Sequence, residues 1–285
     1  MSGSSGPADP DGATKRPTLS SLLSIDGTRA DNARHIRSTE SIRQQLIVDC
    51  MVRRGLRYVA YVVAGQLDNP TGLPIDLPAE EFRRRYGYGI STGFENALKL
   101  KPTKRDADPN EEIVVAMSEA DRKEYRAVLG NCQNEASKVT DKSRAVVEEF
   151  GDELDRLFDR IDSDRRVAKA ERSWAACMAK AGYPYQNEQA VADEITHRMN
   201  PLYDSLGGED VPEGVVDLYK DRRLTTEQQN ILTSVKNFEL AIANADQNCR
   251  GDLDQVRRAV RDEYEAKFVD DNRARLRQIF PDSGL

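Results

Sequence analysis

At 285 residues the chain has room for one large domain or two small ones. Hydrophobic residues make up 38%, charged residues 32% and aromatic residues 6%, which favours amphipathic helices with wide solvated faces over an aromatic-rich sheet. A formal net charge of -7 and a pI near 5.2 argue against a nucleic-acid partner. No apolar run approaches the roughly 18–20 residues that cross a bilayer, and the start of the chain holds no signal-peptide core.

Residues 1–30 are rich in Ser, Gly, Asp and Pro, the composition of a disordered tether. A helix is expected from Asp31 or Asn32 to Arg54, with Ile36, Ile42, Leu46, Ile47 and Cys50 on one stripe and Gly55 as its left-handed stop. Residues 59–117 read as an irregular insert. Turn clusters lie at 68–72 and 76–78, a short helix begins at Ala79, and 101–112 forms a polar loop. Basic residues Arg83, Arg84 and Arg85 sit beside Glu80 and Glu81, as on a solvated helix face. Ser118 and Asp121 resemble a capping box for a helix carrying Tyr125, Val128 and Leu129 toward Cys132.

Val139, Val146, Phe150, Leu154, Leu157 and Ile161 then step by three, four or seven, the spacing of helices packed in a coiled coil or bundle. The helix restarts or continues after residues 162–164 and ends in a stripe of Trp174, Cys177, Met178 and Ala181. Gly182 closes it, and Pro184 forbids continuation. Residues 186–199 form another short helix and 201–222 a loop. Thr226 then caps one very long helix, striped by Leu232, Val235, Phe238, Ile242, Cys249, Leu253, Val256, Val260 and Tyr264, with Gly251 its weak point.

Across these elements the pattern Cys-Met-x-x-x-Gly-x-x-Tyr occurs twice, as Cys50, Met51, Gly55, Tyr58 and as Cys177, Met178, Gly182, Tyr185. Each copy is followed by one more cysteine, Cys132 and Cys249, and both of these follow an asparagine. An internal duplication with repeat-like halves of about 31–140 and 141–285 accounts for this pattern. Only the pairing Cys50 with Cys132 and Cys177 with Cys249 respects the duplication, and two disulfides imply an oxidising compartment. Met51 and Met178 read as core filler, and Trp174 is expected to pack near the second bridge against Ile242 and Ala245.

The same landmarks carry a resemblance. After the first Cys-Met motif come Tyr-Gly-Tyr-Gly at 86–89, Gly93 and Phe94, a Ser-Glu-Ala-Asp-Arg-x-x-Tyr helix start at 118–125, and Leu129 and Gly130 before Cys132. Trp174, Cys177 and Met178, then Ala245, Asp246 and Cys249, complete the order. Over about residues 36–275 this arrangement resembles a group of uncharacterised secreted proteins and lipoproteins of actinobacteria, many from streptomycete-like organisms. The resemblance implies export, often with a lipid anchor, a helical fold and no particular activity. This chain lacks the group's signal and lipid-attachment cysteine, so a tether to the membrane would require an anchor removed from it.

Chemistry-bearing motifs are sparse. His35 and His197 are far apart, and no two cysteines are close enough for a zinc or Cys-x-x-Cys site. Asp106, Asp108 and Asn110 imitate half a calcium loop, but Glu111 stands where glycine is needed and Met117 where the bidentate glutamate belongs. Gly87, Gly89 and Gly93 miss the dinucleotide spacing, and serine-hydrolase motifs are missing. No cofactor, metal or catalytic residue is therefore expected. The expectation is an all-α, elongated helical bundle with long coiled-coil-like helices. It would be extracellular or in the cell envelope, binding a protein, peptide or cell-wall component without catalysis. Tyr86, Tyr88 and Phe94 are the candidate ligand surface. An enzyme with its site in the 59–117 insert is the alternative function, and the cytoplasm with free thiols the alternative location.

Overall fold

A computed structural model describes residues 16–62, 71–99, 108–206 and 223–285. All regular structure among them is helical. In chain order the helices are α1 (Leu19–Leu22), α2 (Arg29–Arg53), α3 (Ala79–Tyr86), α4 (Ser91–Lys99), α5 (Pro109–Val115) and α6 (Glu119–Thr140). They continue as α7 (Lys142–Asp162), α8 (Arg165–Lys180), α9 (Glu188–Ser205), α10 (Thr226–Cys249), α11 (Leu253–Asp271) and α12 (Arg273–Ile279).

Local chemistry explains most boundaries. Thr28, Ser118, Asp141, Asp164, Asn187 and Thr225 each place a side-chain oxygen on a backbone N–H of the first turn of the helix they open. That contact satisfies one of the donors a helix start leaves unpaired. At Thr28 and Thr225 the third helical residue, Asp31 or Gln228, answers back to the cap's own N–H. Pro109 opens α5 at a position where a missing N–H costs nothing.

Three hydrophobic cores organise the helices. The first joins α2 and α6 through Ile47, Met51, Tyr125 and Ala136, with the Cys50–Cys132 bridge at its centre. The second is larger and gathers Phe94 of α4, Trp174 and Met178 of α8, Ile195 of α9 and Ile242 of α10. The third packs Phe150, Leu154 and Leu157 of α7 against Phe268 and Val269 of α11 and Leu276 of α12. Leu19 and Leu285 enter this last core, so the two ends of the described chain meet there.

Several expectations change. Of the segment expected to be a tether, residues 1–15 lie outside the described residues, while Thr18, Leu19 and Ser20 are buried and 25–29 are exposed. Leu19 is 3% exposed, and the Ser20 N–H and hydroxyl donate to the buried Glu265 carboxylate at 2.8 and 2.7 Å. The first long helix starts at Arg29, two residues early, because Thr28 caps it. Ile36, Ile42 and Val139 are exposed, because no described element covers the side of the helix they occupy.

The insert is more regular than its turn residues suggested. It holds α3, α4 and α5, so residues 109–112 are helical rather than loop. The turn residues 68–70 and loop residues 101–107 lie outside the described residues. Its first two helices also desert their own half, since Phe94 packs into the second core. Packing therefore does not divide the chain into halves near residue 140. Pro201 sits inside α9 rather than starting a loop. Burial of Leu202 and Leu206, each contributing up to about 1.5–3 kcal/mol, offsets the roughly 3 kcal/mol that an interior proline costs. Residues 207–222 of the expected loop are outside the described ones. The long C-terminal helix is capped by Thr225, not Thr226, and breaks at Gly251, whose φ of 49° is left-handed. α10 and α11 are therefore separate helices.

Candidate functional site

The duplicated motif builds the same object twice. Gly55 and Gly182 both take positive φ, 73° and 92°. The amide of each glycine donates three residues back, to Val52 or Ala179, and the next amide donates five back, to Met51 or Met178. This paired pattern ends a helix while satisfying its last carbonyls. The disulfides are Cys50–Cys132 and Cys177–Cys249, as the duplication implies, with Cα–Cα separations of 5.6 and 5.5 Å. In the second copy Trp174 bonds Asp246 across the same 72-residue offset as the cysteines. In the first, Arg54 pairs with Glu135 at an offset of 81, next to the bridge's 82. A constant offset means parallel helices in both cases. Met51 and Met178 are fully buried. The Tyr58 hydroxyl folds back to donate to Gln44 at 3.0 Å, and Tyr185 packs on the edge of the second core.

The copies differ one turn before each cysteine. The first has apolar Ile47 and Leu129 there, and the second has Trp174 and Asp246. Asp246 is fully buried and accepts from the Trp174 indole at 2.8 Å, Arg83 at 2.6 Å and Arg250 at 3.2 Å. Arg250 also pairs with Glu188 and Asp254, while Arg257 pairs with Glu188 and with Glu171 at 2.8 Å. Four carboxylates thus surround three guanidiniums at the junction of α3, α8, α9, α10 and α11. Burial, and secondarily the adjacent Arg83, lowers the Arg250 guanidinium from its ordinary value. The Tyr88 hydroxyl is buried beside this cluster, next to the Asp246 carboxylate. Burial, then the Asp246 charge, pushes its pKa up.

A second buried carboxylate fixes the insert. Glu239 of α10 accepts the amides of Ile90 and Ser91 at 2.9 and 2.8 Å and also the Ser91 hydroxyl. It thereby satisfies free donors at the start of α4. Gly87 lies against it: a Cβ there would come within 2.6 Å of Glu239 Cγ, and φ is 63°. No side chain fits. The residues expected to form a ligand surface are largely engaged in this docking. Phe94 is 7% exposed, Tyr88 packs against the second core, and only Tyr86 stays outside it, half-buried against Phe82.

Trp174 is 2% exposed, in the same core as Ile242 with Ala245 at its edge. In the sequence its partner Asp246 is only a landmark, and Arg83 belongs to what reads as a solvated basic run. The one signal available was an acid placed on the apolar side of a helix, three residues before a cysteine. Concave surface includes a groove of about 560 Å³ between α7 and α11. Among the described residues no group of three or more His, Cys, Asp or Glu side chains is arranged to hold a metal ion, and no helix is long and apolar enough to cross a membrane. Comparison with protein-family models, curated proteins and solved structures finds no match.

Proposed function

We propose that this protein is an exported helical module of the extracellular space or cell envelope. It binds a protein, a peptide or a wall component without chemical turnover. It belongs with the actinobacterial secreted group it resembles, and a lipid anchor in its precursor would hold it near the membrane. One observation carries the binding reading. The inward-facing ionisable groups around the insert, Arg83, Asp246 and Glu239, are consumed in packing, so functional contact falls to the outer faces of the helices. Export is supported by two disulfides that staple long-range helix pairs, bonds that persist in oxidising compartments.

Two measurements test this. Protein isolated from its native cells and alkylated before reduction is expected to take up no label on any of the four cysteines. Labelled thiols would place it in a reducing compartment. Oxidised protein added to washed native envelopes is expected to be retained saturably and without turnover. Catalytic release of an envelope product would overturn the binding reading.

A further inference from the structure

The groove between α7 and α11 has a floor of two rings, Tyr264 and the buried Phe268, and walls of long charged side chains. Several of those charges are already matched. Lys267 holds Asp271 at 2.8 Å, Glu153 is held by Arg275 at 2.7 Å, and Arg166 pairs with Asp164 at 3.0 Å and Glu263 at 2.7 Å. Arg156, Arg160 and Arg165 have no ion-pair partner among the described residues, and all three are exposed. Asp159 is, among the described residues, the one acid lining the groove without an ion-pair partner. The concavity continues past Arg160 and Tyr264 to Ser163 and Arg165. Within a chain of net charge -7, this groove therefore presents an excess of unmatched guanidinium.

Arg160 is partly oriented for such a task. Its Nε donates to the Arg156 carbonyl at 3.1 Å, and its guanidinium carbon lies 5.9 Å from the centre of the Tyr264 ring. The remaining N–H groups are left for a ligand. A guanidinium fork matches a carboxylate better than any other side-chain cation.

We propose that this groove binds an extended acidic peptide segment, its carboxylates on Arg156, Arg160 and Arg165 and an intervening apolar side chain on Tyr264 and Phe268. α7 rises about 6 Å between Arg156 and Arg160. Alternate residues of an extended chain are about 6.6 Å apart, so acids two residues apart meet the two arginines in register. The volume also falls within the roughly 300–1,000 Å³ of ligand clefts. The proposal rests on the binding reading given above and names its surface and ligand.

The test uses the oxidised full chain and a fluorescein-labelled octapeptide alternating Asp with Leu and Asn, against the same peptide carrying Lys for Asp. The Asp peptide is expected to raise fluorescence polarisation saturably, more weakly as salt rises, while the Lys peptide does not. Arg156→Gln with Arg160→Gln should weaken binding at least about ten-fold. Arg172→Gln, on an exposed part of α8 outside the groove, should change nothing. Equal binding of the Lys peptide, an unaffected double variant, or no saturation at millimolar peptide overturns the proposal. So does capture of inorganic polyphosphate in preference to the peptide. A concentration-dependent dimer abolished by the double variant would make a second copy the occupant and would also overturn it. None of these results touches the thiol measurement, so export stands or falls separately.

Discussion

Replacing Asp246 with alanine is expected to destabilise the oxidised protein by about 3–4 kcal/mol. The carboxylate is 0% exposed and accepts from Trp174, Arg83 and Arg250. Removing one partner of a buried ion pair costs roughly 3–5 kcal/mol, because the other charge is stranded. Here the stranding is incomplete. Arg250 keeps Glu188 and Asp254, and Arg83 stays 3.7 Å from Glu188, which places the ionic part below that range. The orphaned indole N–H adds about 1–3 kcal/mol. Urea unfolding without reductant, followed by helical circular dichroism and by the fluorescence of the only tryptophan, measures the difference. Trp174→Phe removes the indole donor, so the double variant should lose about 1 kcal/mol less than the sum of the single ones. A loss below about 1 kcal/mol for Asp246→Ala, or full additivity with Trp174→Phe, would refute the view that this cluster ties the insert to the second core.

A chain beginning at Thr28 should lose about 3–5 kcal/mol, the burial of Leu19 plus two donors to the buried Glu265. Unchanged melting would mean that the segment before it contributes nothing. Graded reduction with alkylation and peptide mapping should open Cys177–Cys249 first, since Cys50 and Cys132 are 2% and 0% exposed while the other pair is half-buried. Simultaneous loss of both bridges would contradict this order. Asp164, the cap of α8, is held at about 2 against an ordinary 3.8, first by its side-chain bond with Arg166 and then by the Arg166 amide. A depressed folded pKa means that the cap's contribution is complete above the ordinary value and fades only as pH falls through about 2. An NMR titration that places Asp164 near 4 would show that the cap does not hold.

The repeat, both disulfides, the glycine exits and the starts of α2, α3, α6, α8, α9 and α10 were legible in the sequence, because each depends on residues within a turn of one another or on rare residues in register. Gly55 and Gly182 need nothing distant to adopt positive φ, and Thr28 finds its partner three residues on. Among these, the misplaced starts of α2, α9 and α10 were off by only one or two residues, whereas α1, α4, α5, α7, α11 and α12 had no start of their own in the sequence pattern.

What only the tertiary structure decided was where the polar residues on apolar stripes find their partners. Glu239, Asp246 and Glu265 are three of the chain's 49 acids. They are buried because Ser91, Arg83 and Ser20, between 148 and 245 residues away, supply donors at those points. A side chain's cost of burial depends on what faces it, and sequence spacing carries no record of a partner that packing brings from another core. The same reason hid the docking of α3 and α4 onto α10. Their own turn residues determined that they bend, but the carboxylate of Glu239, reachable only after α10 folds alongside, determined where they came to rest.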